Sequence, residues 1–175
     1  MLGRAGGAGA ARGGHRAGRA LQPDGAATRQ CGFSHVCVAL VAKIDRGFQI
    51  TQRLGRDAAF ISAGGYHHHI GLNTWESEGG SPPPPGTTGL FHLAIRYPDR
   101  ATLADALRRL QRAGIPLDGA SDHGVSEALY LHDPDHNGVE LYRDRPQVEW
   151  PRSPSGEAAM FTRRLDLDSL LAEKS

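Results

Sequence analysis

Apolar and polar positions along the chain fall into short runs, and the runs repeat. GFSHVCVAL (32–40) and GLFHLAIRY (89–97) each place a histidine three positions after a glycine, then alternate apolar residues as a half-buried strand does. Further on, AAFISAGG (58–65) parallels ALYLHDPD (128–135). Each leads into another predicted strand, HHHIGLNTW (67–75) or NGVELYRD (137–144). One segment alone has helical period: in ATLADALRRLQRA (101–113), Leu103, Leu107 and Leu110 form the apolar stripe, Thr102 and Asp105 suggest a capping box, and Gly114 a stop. His35 and His92 are 57 residues apart and Phe60 and Tyr130 are 70, so the first half is shorter by 13, the length of that helix. The expected architecture is α+β. Two βαβββ-type modules, about 32–75 and 89–145, form a curled open sheet, and the first module lacks its helix.

Composition sets the limits of that domain. Residues 1–30 hold eight Gly, eight Ala, five Arg and a single acid, Asp24, and a segment with so little to bury is expected to be disordered. The Pro-rich break between 76 and 88 (SPPPPG) has no place inside a sheet and separates the halves. The domain is expected over 31–150, followed by a C-terminal extension, 151–175, in which LDLDSLLAE reads as a short helix packing on the domain or on a partner. At 175 residues the chain suffices for one core. A formal net charge of +1 gives no global pull toward nucleic acid or anionic membrane. The longest apolar run, Val36–Ala42, is far short of the roughly 20 residues of a membrane-spanning helix. Two cysteines, Cys31 and Cys37, are too few for a disulfide scaffold. These features together lead to the expectation of a cytoplasmic protein, with a homo-oligomer left open.

Nine histidines turn attention to metal chemistry, because neutral imidazole is the commonest transition-metal ligand. His35 and His92 open the two halves, and Glu140 lies in the final strand. Two imidazoles and one carboxylate on one side of a cation make a facial triad that leaves coordination positions open.

The stretch SDHGVSEALYLHDPDHNGVELY (121–142) resembles the extradiol ring-cleavage dioxygenase signature through His123, Leu129-Tyr130, Asp133-Pro134 and Glu140. YHHHIGLNTW, the Pro-rich loop and GLFHLAI resemble the catechol 2,3-dioxygenase-like branch of the vicinal oxygen chelate (glyoxalase/bleomycin resistance/dioxygenase) superfamily, and the likeness runs from about Gly47 to Trp150. The resemblance implies that the curled open sheet surrounds a metal site, with Fe(II), or Mn(II) as the alternative, held by His35, His92 and Glu140. It implies a small aromatic diol and dioxygen as substrates. It also implies that His69, the second of a paired His, acts as acid/base, and that His123 and Tyr130 hydrogen-bond the substrate.

The chain departs from the pattern at His136, where the signature has Gly in a turn, at Ser121, and in the absent first-module helix. His15 and His132, the latter in a predicted turn, read as solvated. Two other functions stay open at this point: a glyoxalase-like metal-dependent isomerase or transferase, and a non-catalytic small-molecule-binding protein of the same fold.

Overall fold

The computed structural model describes residues 47–81 and 83–174. The Gly/Ala/Arg-rich tail, both cysteines, His15, and the opening strand expected over 32–40 with His35 all lie outside the described residues. The architecture is mixed α+β, with two open sheets and few helices.

In the first half, β1 (Gln49–Leu54), β2 (Ala58–Ser62) and β3 (Ile70–Asn73) form an antiparallel sheet in chain order. Strand β1 is exposed along its whole length, so it carries no inward apolar alternation to announce it. The strand expected over 67–75 is shorter than its apolar pattern suggests. His67, His68 and His69 precede β3, and two-residue alternation therefore does not sort their faces.

The second half is β4 (His92–Tyr97), α1 (Arg100–Arg112), β5 (Gly119–Asp122), β6 (Ser126–His132) and β7 (Gly138–Asp144). Strands β5, β6 and β7 form an antiparallel meander, and β4 docks parallel on β7. A two-residue β8 (Arg163–Arg164) extends the sheet at β5, giving the order β4-β7-β6-β5-β8. His132 is the last residue of β6 rather than part of a turn, and its Nδ1 pairs with Asp118 at 2.5 Å.

Helix α1 begins one residue earlier than its apolar stripe suggests. Its capping box is Asp99 with Thr102, not Thr102 with Asp105. The Asp99 carboxylate accepts from the Thr102 amide at 2.8 Å, and the Thr102 hydroxyl faces the Asp99 amide. The Thr102 amide also holds the Asp99 carboxyl below its ordinary pKa. Asp105 lies a turn inside and instead bonds Arg108 at 2.6 Å. The helix ends as expected, with Gly114 at φ +65° just past Ala113.

Leu103, Leu107 and Leu110 of α1 are fully buried against one face of the sheet, with Ile95, Leu129, Leu131, Val139 and Leu141 opposite. Ala59 and Ile61 of β2 belong to the same cluster, which joins the two halves through apolar contact. The C-terminal helix α2 (Leu167–Leu171) closes one end, with Leu170 buried in the core. No helix among the described residues is long and apolar enough to cross a membrane.

Two charged residues, Glu127 and Arg143, are buried within this core-facing layer. Glu127 of β6 is 3 % exposed and holds three guanidinium groups. Arg143 approaches its Oε2 through Nε at 2.9 Å and Nη2 at 2.8 Å, Arg100 through Nε at 2.9 Å, and Arg145 reaches Oε1 at 3.0 Å. Arg100 continues to the Ser169 carbonyl and the Glu173 carboxylate, tying α1 to α2. Removing one member of such a set strands desolvated charge, the costly way to break a buried ion pair. Glu127→Ala is expected to lower stability by about 3–5 kcal/mol in denaturant unfolding.

The turn between β6 and β7 has the strain its sequence implies. His136 is the one non-glycine residue with positive φ among those described, at +64°. The turn is fastened by Asp133, whose Oδ1 accepts from the Asp135 and Asn137 amides. His136→Gly should relieve the left-handed conformation and raise the unfolding midpoint, by up to about 1 kcal/mol of stability.

Candidate functional site

The sheet face opposite α1 is built by register. Residues paired across neighbouring strands point to the same side, and so do residues two apart on one strand. His92 pairs with Gly138, Ala94 with Glu140, and Glu140 with Tyr130, so His92, Glu140 and Tyr130 share one face of three adjacent strands. Their sequence neighbours Leu93, Val139, Leu141, Leu129 and Leu131 take the other face. Small residues lie between the functional ones on the site face: Ala94, Ala128, Gly138 and Gly119.

The side chains form a connected string. His92 Nε2 is 3.1 Å from Glu140 Oε2, Tyr130 donates its hydroxyl to Glu140 Oε1 at 3.2 Å, and His123 Nε2 lies 2.9 Å from the same hydroxyl. Burial, then the charge and the hydrogen bond of Glu140, push the Tyr130 phenol up to about 12, which keeps it protonated as a donor. His123 sits just beyond β5, in a turn where the Gly124 amide bonds Asp122 and the His123 amide bonds the Ser126 carbonyl.

The donor set fits a divalent cation. Ligands at about 2.1 Å from one ion and at right angles to each other lie about 3 Å apart, close to the observed imidazole-to-carboxylate separation. Both groups are of the kind that Fe(II) or Mn(II) accepts. Among the described residues no three His, Cys, Asp or Glu side chains gather to hold a metal.

The structure thus brings together four of the six residues expected from the sequence: His92, Glu140, Tyr130 and His123. His69 lies in the other half. Its Nδ1 is 2.7 Å from Ser62 Oγ, and its ring is flanked by Tyr66 and Phe48. His35 is outside the described residues. Phe161 and Thr162 were missed. The Phe161 carbonyl lies 3.1 Å and the Thr162 hydroxyl 3.2 Å from His123 Nδ1, and neither residue carries a motif that would have marked it.

Gly138 sets the spacing of the donor pair. A Cβ there would strike the Phe91 carbonyl and stand 2.9 Å from the His92 Cβ, so only glycine lets β4 approach β7 this closely at the site. Gly138→Ala is expected to cost about 1–3 kcal/mol of stability through overpacking. The same change should also weaken divalent-metal binding, read by titration calorimetry on the folded fraction, because it forces His92 away from Glu140.

The family model described as Glyoxalase/Bleomycin resistance protein/Dioxygenase superfamily matches residues 35–141. The chain is 50% identical over 91 residues to catechol-2,3-dioxygenase of Bacillus subtilis, which covers 52% of this chain and 32% of that protein. It is 37% identical over 87 residues to biphenyl-2,3-diol 1,2-dioxygenase 3 of Rhodococcus globerulus, covering 49% of this chain and 45% of that one. The chain therefore spans between about a third and a half of the length of these curated relatives. Among solved structures, lactoylglutathione lyase from Agrobacterium tumefaciens superposes with a TM-score of 0.46 at 20% identity, over 62% of this chain and 83% of that one.

Proposed function

The chain belongs to the glyoxalase/bleomycin resistance protein/dioxygenase superfamily, and on that premise we propose that it is an extradiol dioxygenase, cleaving a catechol-type ring beside its two hydroxyls with Fe(II), or Mn(II) in its place. The observation that carries this reading is the string His92–Glu140–Tyr130–His123, in which a pair of metal donors is continuous with a pair of proton-handling groups on one sheet face. The likeness to two diol dioxygenases supports the same choice over an isomerase or a binding protein.

His92 and Glu140 would hold the cation from the second half, with His35 as the third donor from the first. A cation held there would supply a common meeting point for a diol and dioxygen and an electron path between them. The remaining chemistry belongs to the chain. Tyr130 presents an O–H that stays protonated across the working range and orients an oxygen of the substrate. His123 lies one hydrogen bond behind it and can accept or return a proton through Nε2. His69 is the acid/base of the first half. With Ser62 on Nδ1, the proton transfer falls to its Nε2.

An aerobic assay with a panel of catechols on the iron-loaded protein tests this, since ring-fission products absorb in the visible. A fully loaded protein that forms none across the panel would overturn the dioxygenase reading. His92→Ala and Glu140→Ala are each expected to weaken metal binding by more than about 100-fold, judged against the 10–100-fold losses typical of outer-shell changes, while the circular dichroism spectrum is retained. His35→Ala should match His92→Ala in both metal content and turnover. Unchanged iron and rate in His35→Ala would remove it from the triad.

A further inference from the structure

The C-terminal extension returns to the sheet beside the site. Strand β8 pairs antiparallel with β5, Arg163 opposite Asp122 and Arg164 opposite Ser121. The two residues ahead of it lie against His123. The Phe161 amide donates to the His123 carbonyl at 3.3 Å, while the Phe161 carbonyl and the Thr162 hydroxyl both face His123 Nδ1. The Phe161 ring has a built seat. Gly124 has φ +77°, and a Cβ on it would come within 2.6 Å of one ring carbon, 2.9 Å of another, and 2.9 Å of Pro151 Cγ. The Arg163 guanidinium covers the same ring at 4.3 Å from its centroid.

The chemistry of these contacts is directional. A carbonyl oxygen only accepts, so the Phe161 contact is a hydrogen bond only if His123 carries its proton on Nδ1. The Thr162 hydroxyl can accept from that same N–H. In the neutral ring, Nε2 is then a bare lone pair 2.9 Å from the Tyr130 hydroxyl. The one phenolic proton has two takers, Glu140 Oε1 at 3.2 Å and His123 Nε2 at 2.9 Å.

We propose that Phe161 and Thr162 are positioning residues, a strap that fixes His123 in the Nδ1–H tautomer so that its bare Nε2 is a hydrogen-bond acceptor facing the Tyr130 hydroxyl. The use of that acceptor rests on the dioxygenase reading, whereas the tautomer does not. Where the Tyr130 O–H points to His123 rather than to Glu140, the histidine has a vacant nitrogen to accept it. The Phe161 carbonyl, the Thr162 hydroxyl and the Gly124 seat are all needed to keep that nitrogen vacant.

The test is long-range proton–nitrogen correlation on the imidazole of His123, in the full chain without added metal, at a pH where the ring is neutral. The wild-type spectrum should show protonated Nδ1 and bare Nε2. Thr162→Val removes one acceptor at nearly constant volume and should reduce the tautomer ratio about fivefold, the worth of one ordinary hydrogen bond. Thr162→Ser should restore it. Phe161→Ala empties the seat on Gly124 and should reduce the ratio further. A wild-type ring protonated on Nε2 overturns the proposal, and so does an Nδ1–H ring that is unmoved by both Thr162→Val and Phe161→Ala. Neither result depends on turnover, so each is distinct from failure of the catechol assay.

Discussion

A single buried carboxylate, Glu127, anchors the arrangement on which the site depends. It faces Arg143 directly across the β6–β7 ladder, and both residues lie on the sheet face away from the site. Tyr130 and Glu140 are three residues along the same two strands, where the alternation has reversed and the side chains stand on the opposite face. A slip of one residue between β6 and β7 would tear the carboxylate from its guanidinium groups and turn Tyr130 or Glu140 into the apolar layer. Hydrophobic burial alone would penalise that slip, but Leu and Val are interchangeable to a degree that a carboxylate with three directed donors is not. Arg100 and Arg145 extend the same constraint to the start of α1 and to the chain leaving β7. The ion cluster therefore orders the face on which no ion of the cluster lies.

The site face works by the contrary rule. Where Leu and Ile fill the α1 side, Ala94, Ala128, Gly119 and Gly138 leave space between the functional groups, so a ligand would meet backbone and small side chains rather than packed methyls. Glycine at 138 allows β4 to lie close enough for His92 and Glu140 to meet. Glycine at 124 serves a different purpose and admits an aromatic ring from the far end of the chain. Both positions use the absence of a side chain to bring two distant segments together.

Much of the second half was legible in the sequence because its signals are local. Alternation marked β4, β6 and β7, the Leu stripe marked α1, and the Asp-Pro turn with its out-of-place His136 predicted a strained left-handed residue that the structure contains. His92, Glu140, His123 and Tyr130 were candidates through the resemblance to the dioxygenase signature, and the structure brings the four together. The signals that failed were those without local period. Strand β1 has no buried face, so its residues show no pattern of burial. The three consecutive histidines fall within the strand expected over 67–75, yet β3 begins only at Ile70. Helix capping was misplaced by one turn because Thr102 and Asp105 have the right types at the right spacing, and only geometry shows that Asp99 got there first. The role of Phe161 and Thr162 depends on a two-residue strand pairing across some forty positions, and nothing in residue type announces such a contact.

The parallel docking of β4 on β7 has a kinetic side. These are the first and last strands of the second half, and every other element of that module lies between them in the chain. Their pairing closes the longest loop in the module, and such closures carry their entropy cost before any contact repays it. The β5–β6–β7 meander, joined by short turns, can assemble without that cost. His92 and Glu140 consequently become neighbours only when the outermost closure is complete, so a chain caught partway through folding lacks the proposed cation-binding pair. The strands that define the site are also the ones that certify that the module is finished.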